Sequence, residues 1–213
     1  MRSNTNPIIS PDGRYVVFTN TSSLTGESFL LRMDLTTGEV LSLTNGTAGA
    51  MEVNDNMASW SPDSTKIAFT WTDGQYTDVY VMNASDGTQV RAITDDGAYD
   101  MNPTWSPDGQ SIVYSHYDGT LQPTPSELNT LVALPKTGWS LVKADVATGH
   151  EAVLTTPADS PTWRPVYSPD GQHIDFIGWK YRLPNVFQTT PSGEPVTPLL
   201  ITPFLKVTAL DWK

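Results

Sequence analysis

Four aspartates hold one fixed place in a recurring phrase. Asp12, Asp63, Asp108 and Asp170 each follow Ser-Pro, and glycine comes next at three of the sites, Ser64 at the other. A carboxylate two residues from a hydroxyl could act as an acid, ligate a cation, or accept the hydrogen bonds that fix a turn. The last reading has a mechanism: proline presets φ at about −65°, aspartate suits the next position, and glycine takes the positive φ that follows. A catalytic acid would occur once, whereas this one recurs in every unit, so the pattern predicts four turns. A second polar set stands upstream of the phrases: Asn54, Asp55 and Asn56, then Tyr99, Asp100 and Asn102, then Asp159 and Arg164. We select Asp55, Asn56, Asp100, Asn102 and Arg164 as candidate binding residues. Acidic loops of this kind attract a cation or a basic peptide segment. The competing reading is that their side chains secure local turns. Calcium would need about six to eight oxygens converging on one point, and nothing in the spacing calls for a metal or a cofactor.

Catalytic signatures are missing. There is no Gly-x-Ser-x-Gly elbow to expose a nucleophilic serine. His116, His150 and His173 lack the spacing of a metal-binding helix, and His116 is the better ligand candidate of the three. Cysteine is absent, which removes thiolate nucleophiles, thiolate metal sites and disulfides. With 12 basic and 23 acidic residues the formal net charge is −11. A chain this acidic repels phosphate backbones, which argues against nucleic acid as a partner. No apolar run approaches the roughly 20 residues of a membrane span, and residues 1–7 lack the apolar stretch of a signal peptide. A composition of 38% hydrophobic and 16% charged residues still specifies a folded chain.

The elements that must position these residues follow from the repeat. The residue before each serine is Ile9, Trp60, Trp105 or Tyr167, at spacings of 51, 45 and 62. Six residues after the serine stand Val16, Ile67, Ile112 and Ile174; eight after it stand Phe18, Phe69, Tyr114 and Phe176. Apolar residues two apart mark one face of a strand. Each copy adds a second apolar stretch, at 29–31, 79–82, 141–142 and 186–187. A glycine turn follows at Gly38, Gly87, Gly149 and Gly193, then an aliphatic-Thr pair ending at Thr44, Thr94, Thr155 or Thr202. Four short antiparallel strands in a repeat of roughly 45 residues make a propeller blade. The aromatic before the serine and the apolar pair after it would pack between neighbouring sheets. The blades fall at about 7–44, 45–94, 95–155 and 156–202 in one region spanning 1–213, and a fifth begins at 203–213. An insertion at 117–138 lengthens the third copy. Insertions of this length are functional or solvated excursions.

The run Asn102-Pro103-Thr104-Trp105-Ser106-Pro107-Asp108-Gly109-Gln110-Ser111-Ile112-Val113-Tyr114 resembles the blade motif of TolB-type β-propellers. Propeller domains of prolyl-oligopeptidase-like enzymes carry a similar motif. The resemblance extends from Pro7 to Trp212. It departs from the pattern where Ser64 replaces the turn glycine, where Ile9 and Tyr167 replace tryptophan, and at Thr189, where other copies have Asp34, Asn83 and Asp145. It implies an all-β propeller of four-stranded antiparallel blades. Since the family has six or more, four blades plus the first strand of a fifth predict an open or partial propeller whose blade edges could self-associate. It also implies a periplasmic or extracellular, non-catalytic scaffold for a protein or peptide partner. The alternatives are the substrate-gating propeller of a prolyl-oligopeptidase-like serine peptidase and a metal-dependent sugar lyase.

Overall fold

The computed structural model describes residues 2–25, 27–44, 52–72, 75–118, 138–155, 162–180 and 183–200, with the backbone alone at 2, 52–57, 179–180, 183–184 and 200. The fold is all-β, and no helix occurs among the described residues. The chain divides into two compact units, Met1–Gly97 and Ala98–Lys213, and each holds two antiparallel four-stranded sheets. In unit 1 the first sheet is β1 (Arg2–Ile9), β2 (Tyr15–Ser22), β3 (Ser28–Asp34) and β4 (Val40–Ser42). The second is β5 (Glu52–Trp60), β6 (Lys66–Thr72), β7 (Thr77–Asn83) and β8 (Arg91–Ala92). In unit 2 the third sheet is β9 (Tyr99–Trp105), β10 (Ser111–Tyr117), β11 (Trp139–Asp145) and β12 (Glu151–Thr155). The fourth is β13 (Trp163–Tyr167), β14 (Ile174–Lys180), β15 (Leu183–Thr189) and β16 (Thr197–Leu200). Most of the 117–138 insertion and all of 203–213 lie outside the described residues. Asp55 and Asn56 fall in β5, and their side chains lie outside them too.

Alternation along the strands explains how the sheets pack. In unit 1 one face of the first sheet offers Val17, Leu30 and Leu43; the second sheet sets Trp60, Ile67, Phe69 and Met82 against them. Unit 2 repeats the arrangement at corresponding positions: Val113, Leu141 and Leu154 of the third sheet meet Tyr167, Ile174 and Phe176 of the fourth. Burial of each such side chain contributes roughly 1.5–3 kcal/mol. Ile9, in the place of Trp60, is exposed.

The closing aliphatic-Thr pair finishes each of the first two sheets. Leu43 N–H donates to the Leu30 carbonyl at 2.8 Å, and Leu30 N–H donates to Thr44 Oγ1 at 3.0 Å. Val79 N–H donates in the same way to Thr94 Oγ1 at 3.0 Å. The carbonyl of this leucine then meets a glycine of the next sheet. A Cβ at Gly87 would overlap the Leu43 carbonyl, and one at Gly193 would overlap that of Leu154. Both glycines also have positive φ, 71° and 93°. Here glycine is required by space as well as by conformation.

Candidate functional site

All four Ser-Pro-Asp turns share one hydrogen-bond pattern. The serine Oγ donates to the aspartate Oδ1, at 2.5 Å for Asp12 and 2.6 Å for Asp63, Asp108 and Asp170. That oxygen also accepts the backbone N–H two residues on, from Arg14, Thr65, Gln110 or Gln172. The serine Oγ accepts the N–H of the residue five on, at 2.9 Å in every copy. The serine hydrogen bond, more than any other contact, holds these carboxyls below their ordinary pKa. Such bonds favour the ionised form, so each aspartate acts first as the anchor of its own hairpin.

One upstream candidate, Asp100, meets a partner at the opposite end of β9. Asp100 in β9 pairs across the ladder with His116 in β10, and His116 Nδ1 lies 2.8 Å from Asp100 Oδ1. The Asp100 side chain is fully buried, while that of His116 keeps 19% of its exposure. Engagement of Nδ1 fixes the ring's orientation and tautomer. A ladder continued evenly from the Trp105–Ile112 pair would set His116 against Met101. The register slips between Val113 and Ser115 and brings Asp100 opposite instead.

That slip has a repeated cause. Asn102 stands four residues before its serine, as Asn6 and Arg164 do before theirs. The three have positive φ values of 55°, 55° and 50°, and a register shift accompanies each. This is a β-bulge with its extra residue in the left-handed region. The sequence carried a signal for it: each of these residues precedes a proline inside a strand, and strand prolines are confined to edges and bulges. Asparagine tolerates the conformation. Arginine at such a position costs roughly 1–3 kcal/mol, and burial pushes the Arg164 guanidinium below its ordinary pKa.

Four aromatic rings lie beneath this end of unit 2. Tyr117 stacks on Trp139 with centroids 4.9 Å apart; Tyr99 flanks Tyr117 at 6.3 Å, and Trp163 meets Trp139 edge-on at 5.5 Å. Each ring is 8% exposed or less. Tyr117 and Trp139 are cross-strand partners at the two stems of the insertion, and Asp118 N–H donates to the Gly138 carbonyl at 3.2 Å. The insertion therefore leaves a firm base beside His116, and Trp163 directly precedes Arg164.

Antiparallel four-stranded sheets packed face to face, each led by a Ser-Pro-Asp hairpin, define a β-propeller built from WD40-like repeats. Residues 1–131 match the family model of the PD40 TolB beta propeller domain, and the chain belongs to that family. A Tol-Pal system protein TolB of Anaeromyxobacter dehalogenans is 36% identical over 99 residues, which cover 46% of this chain and 21% of that protein. The chain thus spans about a fifth of that relative. Among solved structures, a putative TolB from Agrobacterium tumefaciens aligns with TM-score 0.71 and 22% identity, covering 94% of this chain and 63% of the other. A puromycin-hydrolyzing peptidase of Mycobacterium tuberculosis aligns with TM-score 0.65 and 18% identity over 94% of this chain and 30% of that one. At these identities the structural likeness shows the fold alone.

Proposed function

We propose that this propeller is a non-catalytic module for a protein or peptide segment, and that the end of unit 2 bearing His116 and Arg164 makes the contact. One observation carries the reading: Arg164 places a charge in a strained backbone position where two other copies have asparagine, at Asn6 and Asn102. Asparagine satisfies the bulge at lower cost, which supports a role for the cation beyond the turn of the chain. Asp100 and Asn102 are 0% and 7% exposed, too buried to touch a partner. Their part is positioning, Asp100 through the His116 ring and Asn102 through the bulge. Asp55 and Asn56 in β5 are proposed separately, as contact residues of unit 1. The Tol-Pal relatives support a periplasmic setting and an envelope protein as partner.

The test uses the full chain as bait against a periplasmic extract, beside Arg164→Asn. Asparagine preserves the bulge, as Asn6 and Asn102 demonstrate. At least one captured protein is expected to be lost with the variant; an unchanged set would remove Arg164 from the contact. The peptidase likeness supports a second reading, a propeller that gates a separate hydrolase domain. Hydrolysis of peptide p-nitroanilides by the full-length protein would favour it.

A further inference from the structure

The two blade pairs are built alike, yet a cleft closed in the first is open in the second. In unit 1 the space between the Ser-Pro-Asp turns is closed by large side chains. Tyr15, five residues after Ser10, carries the guanidinium carbons of Arg32 and Arg14 over its ring at 4.4 and 4.8 Å. Ser64 Oγ accepts the Asp12 N–H at 3.1 Å, and Trp60 Nε1 donates to the Ile8 carbonyl at 3.0 Å. In unit 2 the corresponding residues are Ser111 for Tyr15, Lys143 for Arg32, Gly171 for Ser64 and Tyr167 for Trp60. Every replacement is smaller. A cavity of about 410 Å³ results, with Asp108, Ser111, Lys143, Tyr167, Asp170 and Gln172 in its walls.

The charges in these walls are unevenly satisfied. The Lys143 ammonium donates to the Pro191 carbonyl at 2.8 Å, just as Arg32 donates to the carbonyls of Ala84 and Ser85. Asp108 and Asp170 commit Oδ1 to their turns. Among the described residues Oδ2 of neither accepts a hydrogen bond. The Tyr167 phenol is pushed well above its ordinary pKa by burial and then by the Asp108 charge, so it remains neutral. The bond to a neutral carbonyl leaves the Lys143 charge in place, and that charge acts on Asp108. The cavity thus presents two exposed carboxylates and a phenol against one ammonium, a net negative charge of one.

We propose that this cavity receives a guanidinium group, the side chain of an arginine presented by a partner peptide. Guanidinium offers five donors in a planar fork that matches carboxylates. The site lies at the opposite end of β9 from His116, so it stands or falls independently of the contact proposed above.

Amide shifts of the ¹⁵N-labelled full chain during titration with Nα-acetyl-arginine amide provide the test. Saturable shifts are expected at Ser111, Gly171 and Gln172. The neutral isostere Nα-acetyl-citrulline amide should bind at least about tenfold more weakly, since it forfeits the charge-assisted bonds. Ethylguanidine separates the sources: it should bind less well than the arginine amide, and equal affinity would refute the peptide origin in favour of a free guanidino compound. Ser111→Tyr and Gly171→Ser install the residues of the closed cleft, and each should weaken binding at least about tenfold. Serine at Gly171 carries the strain of the left-handed region, which Ser64 bears at φ 61° against 68° here, and a Cβ there makes ordinary contact with Pro107 at 3.6 Å. Absence of saturable shifts, equal binding of the citrulline amide, or undiminished binding by both variants overturns the proposal.

Discussion

Gly87 and Gly38 occupy the same turn of consecutive blades, and substituting both with alanine separates two costs that usually come together. Their φ values are 71° and 75°. Alanine in that conformation costs roughly 1–2 kcal/mol at either site. A Cβ at Gly38 meets nothing within 4 Å, whereas at Gly87 it overlaps the Leu43 carbonyl. That obstacle is backbone, and the hydrogen bonds of Leu43 and Thr44 to Leu30 hold it in place. Relieving the overlap requires the two sheets to part, an overpacking cost of roughly 1–3 kcal/mol more. Gly38→Ala should therefore lose about 1–2 kcal/mol and Gly87→Ala about 2–5 kcal/mol. Against a typical stability of about 5–15 kcal/mol, the difference is well resolved. Urea unfolding followed by tryptophan fluorescence measures it, provided the slopes agree. Equal losses at the two sites would refute the close approach of Leu43 as the reason for glycine.

Three further outcomes follow from the same geometry. The serine hydroxyls hold the turn carboxyls of Asp12, Asp63, Asp108 and Asp170 below the ordinary aspartate value of 3.8 in the folded chain. Their contribution is present above that value and lost as pH falls through the folded pKa values, so urea midpoints should decline below about pH 4. Asp175 is shifted upward by burial and carries the opposite sign: its contribution is full below pH 3.8 and fades as pH rises through its folded value. Asp175→Asn should then flatten any loss seen as pH rises above 3.8. Asp100→Ala should cost about 1–3 kcal/mol by removing the buried partner of His116, and imidazole ¹⁵N shifts should show the ring's tautomer preference released; unchanged shifts would mean that Asp100 does not orient it. Arg164→Asn should hold or raise the thermal unfolding midpoint, because asparagine tolerates the left-handed bulge, while Arg164→Val should lose roughly 1–2 kcal/mol, because a β-branched residue fits it poorly.

The repeat, its turns and the faces of its strands were legible in the residues alone. Ser-Pro-Asp-Gly specifies a hairpin through contacts spanning five residues, and period-two alternation after each serine puts Ile67 with Phe69, and Ile174 with Phe176, on one strand face. Information of that range is carried by adjacent residues, so it survives without coordinates. The placement of the chemistry was not legible in this way. Asp100 meets His116 only because a bulge at Asn102 shifts the ladder by one residue, and burial removes that candidate contact residue from solvent. The guanidinium cavity depends on Ser111, Lys143, Tyr167 and Gly171, which come from two sheets and a turn. Tyr167 reads as a packing aromatic in the place of tryptophan, and the residue types of Ser111 and Lys143 carry no sign of what faces them. Whether small residues leave a void depends on what faces them across a sheet interface, and separations between distant segments are set by packing rather than by the local chain.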